Sequence, residues 1–281
     1  MKTSFRFLAA ASACIIPFCQ VLATASPVLA QEPHCRPVTE ALAAGEITLS
    51  IEANEDTFFN EPLTYDTENI SGGEVNFCFP AGMTMISGNG SAQNLILTRT
   101  VEVFLGPGES RQGRLAAACV NLEKHAPEAG TSFQPGPMAA GDVLAVALAI
   151  ERNDAQGSIG AQLALWAVTD GFTLDVEGGS DSETAEMFRL IAPILCLAKD
   201  ELELGQRLLE EAGTDARLFE GDSSSGLAFC ERLGYPTDIN QLMLIIGRYS
   251  ALTICCCGGG CGLMLIVLAV GVVLIIRSRK R

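Results

Sequence analysis

The stretch 252–276 contains no charged residue, and Arg277, Ser278, Arg279, Lys280 and Arg281 follow it at once. A helix rising about 1.5 Å per residue over that length crosses a hydrocarbon core of roughly 30 Å with some tilt. Basic residues directly after an apolar span hold that end on the cytoplasmic side. At the other terminus, Lys2 and Arg6 precede an apolar stretch over 7–21, and Val28-Leu29-Ala30 offers the small residues of a leader cleavage site. The expectation is a signal peptide at 1–30, one membrane span at 252–276 in contact with lipid, and a cytoplasmic tail at 277–281. The bulk of the chain then lies outside the cytoplasm, in the periplasm or at the cell surface.

Charge narrows the partners. All 33 acidic residues lie between leader and span, whereas six of the 18 basic residues lie in the leader and tail. The intervening segment therefore carries a net charge of −21, against −15 for the whole chain. A segment so acidic repels phosphate backbones, so nucleic acid is not an expected partner. An unidentified protein or surface ligand is.

Export makes disulfides possible. Cys14 and Cys19 leave with the leader, and Cys255, Cys256, Cys257 and Cys261 sit at the outer end of the span. Cys35, Cys78, Cys119, Cys196 and Cys230 remain, an odd number, so at least one is unpaired or used differently. Spacing leaves the connectivity open. Pairing within each half of the segment gives Cys35–Cys78 and Cys196–Cys230, with Cys119 left over.

The pattern between the termini changes once. Residues 47–52 and 75–79 alternate apolar and polar with the period of a strand, as do 100–103 inside a longer apolar run over 95–105. Residues 115–122 are small and apolar, as in a buried strand. Ser71-Gly72-Gly73, Gly88-Asn89-Gly90 and Gly106-Pro107-Gly108 punctuate them as turns. Short strands so spaced predict an Ig-like antiparallel β-sandwich over 45–126, after an N-terminal segment at 31–44. A Gly/Pro-rich linker at 127–141 leads into a helical region at 142–236. There Asp142 is the expected cap of a first helix, Ser158 opens a second that ends at Asp170-Gly171, and Ser180-Asp181-Ser182-Glu183 opens a third that Pro193 interrupts. A helical pattern through Leu202, Leu208 and Leu209 stops at Gly213, and a short helix follows near 227–233. Residues 237–251 form a juxtamembrane segment. The fold class is thus α+β with a C-terminal transmembrane helix.

No catalytic constellation is legible. Gly221-Asp222-Ser223 has no partner base, since His34 and His125 lack suitable surroundings and no Gly-x-Ser-x-Gly elbow exists. Cys119, His125 and the His34-Cys35 pair lack zinc-ligand spacing. Asp170, Asp175, Glu177 and Asp181 do not follow a calcium-loop pattern. No enzyme activity, metal or cofactor is expected, and Asn69-Ile70-Ser71 and Asn89-Gly90-Ser91 are glycan acceptors only in a eukaryotic host.

One local pattern carries chemistry. Gln162-Leu163-Ala164-Leu165-Trp166 followed by Thr169-Asp170, with Ala118-Cys119-Val120-Asn121-Leu122 upstream, resembles the glutamine and cysteine motifs of bacterial surface thioester domains. The resemblance covers 118–171. It implies that Cys119 supplies a thiol and Gln162 an acyl group for an internal thioester, which an amine on a target surface attacks, with Trp166 shielding the bond from water. Ala161 stands where that motif has threonine, and the interval from Cys119 to Gln162 is shorter than in those domains. The wider segment 79–166 is similar to exported prokaryotic domains of unknown function. Cys255-Cys256-Cys257-Gly258-Gly259-Gly260-Cys261, before the apolar and basic residues, resembles the C-terminal sorting signals of some bacteria; small residues at the outer end of an ordinary span are the other reading. Two functions follow: a non-catalytic surface module that binds a partner or serves the envelope, or a covalent adhesin using Cys119 and Gln162.

Overall fold

A computed structural model of the protein describes residues 35–55, 61–174, 196, 198–219 and 226–233. The leader, the span and its tail, Ser180 to Glu183, Pro193, and Gly221 to Ser223 lie outside these residues. Among the described residues no helix is long and apolar enough to cross a membrane.

Among the described residues nine strands and five helices follow the order α1 (Val38–Ala43), β1 (Ile47–Ala53), β2 (Leu63–Asn69), β3 (Val75–Phe79), β4 (Met83–Ser87), β5 (Asn94–Leu97), β6 (Val101–Leu105), β7 (Ser110–Leu115), β8 (Ala117–Val120), β9 (Phe133–Met138), α2 (Gly141–Arg152), α3 (Ile159–Thr169), α4 (Lys199–Ala212) and α5 (Gly226–Leu233). Every ladder between them is antiparallel. The strands form three sheets, ordered β1-β2-β7, β3-β6 and β8-β5-β4-β9. The class is therefore α+β with antiparallel sheets.

Strand alternation decides where each sheet faces. Ile47, Ile51 and Ala53 of β1, Leu63 and Tyr65 of β2, and Phe77 and Phe79 of β3 turn into one core, which Met85, Leu95, Leu97, Ala117 and Cys119 of the four-stranded sheet close from the other side. That second sheet is buried on both faces at its β8 end. Ala118, one residue out of phase with Cys119, joins a separate core built from α2, α3 and α4. Ile96 and Val120 meet Ala147 of α2 on the same side. Trp166 packs against both main cores and so sits at their seam.

Several expectations need correction. Residues 133–138, read as linker, form β9 on β4, Ser87 opposite Phe133 and Met83 opposite Met138, with a register shift between Met83 and Met85. Pro135 and Pro137 lack amide hydrogens, but β9 is an edge strand, where a missing donor breaks no second ladder. The apolar run 95–105 is two strands in different sheets. The crossing at 98–100 is fastened to α2 and to the connection that follows it: Thr100 N–H donates to Glu151 Oε1 at 2.6 Å, and Gln156 Nε2 donates to the Thr98 carbonyl at 3.1 Å. Asp142 does not cap α2; it lies in the first turn, and Ala140 holds the cap position without a side-chain bond.

Other local signals act as their chemistry dictates. Ser158 accepts a hydrogen bond from Ala161 N–H at 3.0 Å and opens α3. Gly213, at φ +69°, ends α4 in the left-handed region that glycine enters freely. Helices α3 and α4 cross at Gly160 and Gly205, where a Cβ on Gly160 would stand 2.3 Å from the Glu201 carbonyl oxygen. Disulfides join Cys35 to Cys78 and Cys196 to Cys230, with Cα–Cα distances of 5.8 and 5.5 Å. Asn69 is wholly buried, donates to the carbonyls of Gly73 and Gly106 at 2.8 and 2.9 Å, and accepts from Ser71 N–H at 2.9 Å. Such an amide cannot carry a glycan in the folded chain.

Candidate functional site

Strand β8 is the second edge of the four-stranded sheet, pairing with β5 on one side only. Along an edge, alternate residues point N–H and C=O outward and need other partners. At Cys119 that partner is one side chain. Gln162 Oε1 accepts from Cys119 N–H at 2.9 Å, and Gln162 Nε2 donates to the Cys119 carbonyl at 2.7 Å. The carboxamide thus occupies the place of a neighbouring strand's peptide group. It brings the acyl carbon of residue 162 to the backbone of residue 119 across 43 residues of sequence.

On the side of α3 away from Gln162, Gly160 meets Glu201 and Gly205 of α4. Gly160, Ala161, Ala164 and Ala167 are all buried. Gln162 and Trp166 lie one turn apart, both half-buried. The Trp166 ring meets Phe172 edge-on, centroids 6.4 Å apart. Its indole N–H is buried with no hydrogen-bond partner among the described residues, as is Asn121 Oδ1.

With both disulfides formed, Cys119 is the free cysteine of the described residues. It is 5 % exposed, and burial pushes its thiol pKa up to about 12. The thiol therefore stays protonated at neutral pH, shielded from oxidants and metals in bulk water. Any reaction it undergoes must be with a group already brought beside it.

Asn121 and Asp170, which the motifs contain without a contact being legible for either, complete the site. Asn121 ends β8 at φ +66°, a left-handed conformation that asparagine tolerates better than most residues. The next amide, Leu122 N–H, donates to Asp170 Oδ1 at 3.1 Å. Asp170 is also the C-cap of α3, and its Oδ2 accepts from Thr169 Oγ1 at 2.5 Å. The Thr169-Asp170 pair was visible in the motif; its attachment to Leu122 depends on how helix and strand meet, which no local pattern encodes.

The remaining candidates do not assemble. Cys35 is taken by its disulfide, and Asp175, Glu177 and Asp181 lie outside the described residues. No group of three metal-ligating side chains occurs among the described residues. No protein-family model, curated protein or solved structure matches the chain.

Proposed function

We propose that the chain is an exported surface protein, anchored by 252–276, whose Ig-like domain attaches covalently to a target through an internal thioester between Cys119 and Gln162. The observation that carries this reading is the seating of the Gln162 carboxamide on the backbone of Cys119, the free and buried cysteine of the described residues.

The chemistry balances without a cofactor. Cys119 Sγ bonds to Gln162 Cδ, the Cδ–Nε2 bond breaks, and the thiol proton leaves with Nε2 as ammonia. Cys119 N–H, already on Oε1, polarises the carbonyl and stabilises negative charge on that oxygen during attack. A primary amine on the target then attacks the thioester carbon; an amide forms and the Cys119 thiol is restored. Burial of Cys119 and the nearby Trp166 protect the acyl bond from hydrolysis in the interval. The positive-inside tail and leader support the anchored, outward-facing placement.

A second reading is favoured by the same bonds. Both polar atoms of the carboxamide are satisfied by an edge strand, so Gln162 is also intelligible as a structural clasp in a non-catalytic module that binds a surface partner or serves the envelope. Intact mass of the full chain in detergent separates the two. Loss of one ammonia, abolished in Cys119→Ala and replaced by a methylamine adduct on treatment, is the expected result. An unmodified mass with a titratable Cys119 thiol leaves only the clasp.

A further inference from the structure

We propose that Asp170 is the positioning residue for the Cys119–Gln162 pair. It fixes α3 against β8 so that the carboxamide meets residue 119 and no other. The acylation part of this inference rests on the thioester reading; the positional part does not.

Along an edge strand only every second residue turns its N–H and C=O outward. From Cys119 the neighbouring outward positions are Ala117 and Asn121. A slide of about 6.6 Å toward Ala117, two residues of strand, would offer Gln162 an equally good extended backbone and the wrong side chain. One clasp alone does not forbid that slide. A second fixed point does.

Asp170 supplies it. From Gln162 to Asp170 the helix advances about 12 Å, eight residues at 1.5 Å each. From Cys119 to Leu122 the chain advances less than about 10 Å, the length of three extended residues at 3.3 Å each, because Asn121 leaves the extended region. The two lengths agree to within a side chain's reach, and both increase in the same chain direction. Helix and strand therefore lie side by side, joined at Gln162–Cys119 and again at Asp170–Leu122. Two joints fix translation and rotation together. Asn121 makes the second joint possible: its left-handed backbone ends the regular strand, and the next amide donates to Asp170.

The test uses the full chain in detergent, with Asp170→Ala, Asp170→Asn and a control. Asp170→Ala removes the acceptor of Leu122 N–H, while Thr169 Oγ1 keeps the Leu165 carbonyl. Asp170→Asn keeps an oxygen for Leu122 N–H and drops the charge. Glu211→Ala is the control: it removes the bonds that α4 makes to Arg152 and Asn153 of α2, away from β8. Three readouts are compared at equal intervals below each variant's Tm: hydrogen exchange at the Cys119 amide, iodoacetamide labelling of Cys119 mapped by peptide mass, and methylamine incorporation at Gln162. Asp170→Ala should speed exchange and labelling about tenfold or more and cut incorporation by about 10- to 100-fold, the usual loss for an ångström of misplacement. Asp170→Asn should restore all three, and Glu211→Ala should move none. Unchanged exchange and labelling in Asp170→Ala overturns the proposal, as does an equal effect from Glu211→Ala or a failure of Asp170→Asn to rescue. Absence of methylamine incorporation in the unsubstituted chain defeats the thioester reading, while exchange and labelling still decide the role of Asp170.

Discussion

Replacing Gln162 with alanine removes both hydrogen bonds to Cys119 and leaves an N–H and a C=O of a 5 % exposed residue without partners. Each bond contributes about 0.5–1.5 kcal/mol net, and a buried group left unsatisfied costs about 1–3 kcal/mol. The clasp alone therefore accounts for about 2–4 kcal/mol, or roughly 5–15 °C in Tm for a domain of this size. A thioester adds a second term. It would close a loop spanning the 43-residue separation of its two ends. Loop closure of that length, treated as for a disulfide, is worth about 4 kcal/mol through the unfolded chain. The two terms separate in a double-mutant cycle with Cys119→Ala, where no thioester can form. Gln162→Ala should cost about 2–4 kcal/mol in the Cys119→Ala background and about 3 kcal/mol more in the background with Cys119 present, because the Nε2 bond leaves with the ammonia and offsets about 1 kcal/mol of the loop term. Thermal and urea unfolding followed by circular dichroism measure both. A loss below about 1 kcal/mol in the Cys119→Ala background would refute the clasp, and equal losses in the two backgrounds would refute the cross-link.

Further outcomes follow from the same geometry. Where Cys119 is unacylated, its folded pKa of about 12 lies above that of an ordinary thiol, so stability is fully present below pH about 9 and is lost as pH rises toward 12; Cys119→Ala should flatten that alkaline limb. At pH 8, alkylation of native Cys119 should run about 1000-fold slower than that of an exposed thiol, and equal rates would show the site to be open. Gly160→Ala places a Cβ 2.3 Å from the Glu201 carbonyl oxygen and 2.8 Å from Gly205 N, and should lower stability by about 1–3 kcal/mol; a gain, as helix propensity alone predicts, would contradict the close crossing of α3 and α4. Asn69→Asp turns a carboxylate toward carbonyl oxygens of Gly73 and Gly106, which raises its pKa on folding. That variant should be least damaged below pH about 4 and lose stability as pH rises; a pH-independent loss would contradict the assignment of Asn69 as donor to both turns.

Legibility from sequence followed the range of the forces involved. Ser158, Asp170-Gly171 and Gly213 mark helix ends because capping is a matter of adjacent residues, and α3 begins and ends, and α4 ends, where those signals stand. Alternation over 47–52 and 75–79 was visible because one face of each strand is buried. Strand β9 was not, since Phe133-Gln134-Pro135-Gly136-Pro137-Met138 has loop composition and owes its extended form to β4. Strand β7, Ser110 to Leu115, is charged and largely exposed, and only pairing with β2 makes it a strand. At the site, Cys119 and Gln162 were found through side-chain identity. Asp170 and Asn121 were not given their roles, because those come from the parallel lie of a helix against a strand edge.

The central claim concerns one covalent bond, and intact-mass spectrometry of the full chain, purified without reducing agent or amines, tests it most directly. The account predicts a mass lower by one ammonia than the processed, disulfide-bonded chain, with the loss mapped to a linkage between Cys119 and Gln162 and reversed by methylamine as an adduct on Gln162. A chain of full mass, in which Cys119 titrates as a thiol on unfolding and Gln162 remains a carboxamide, would contradict it.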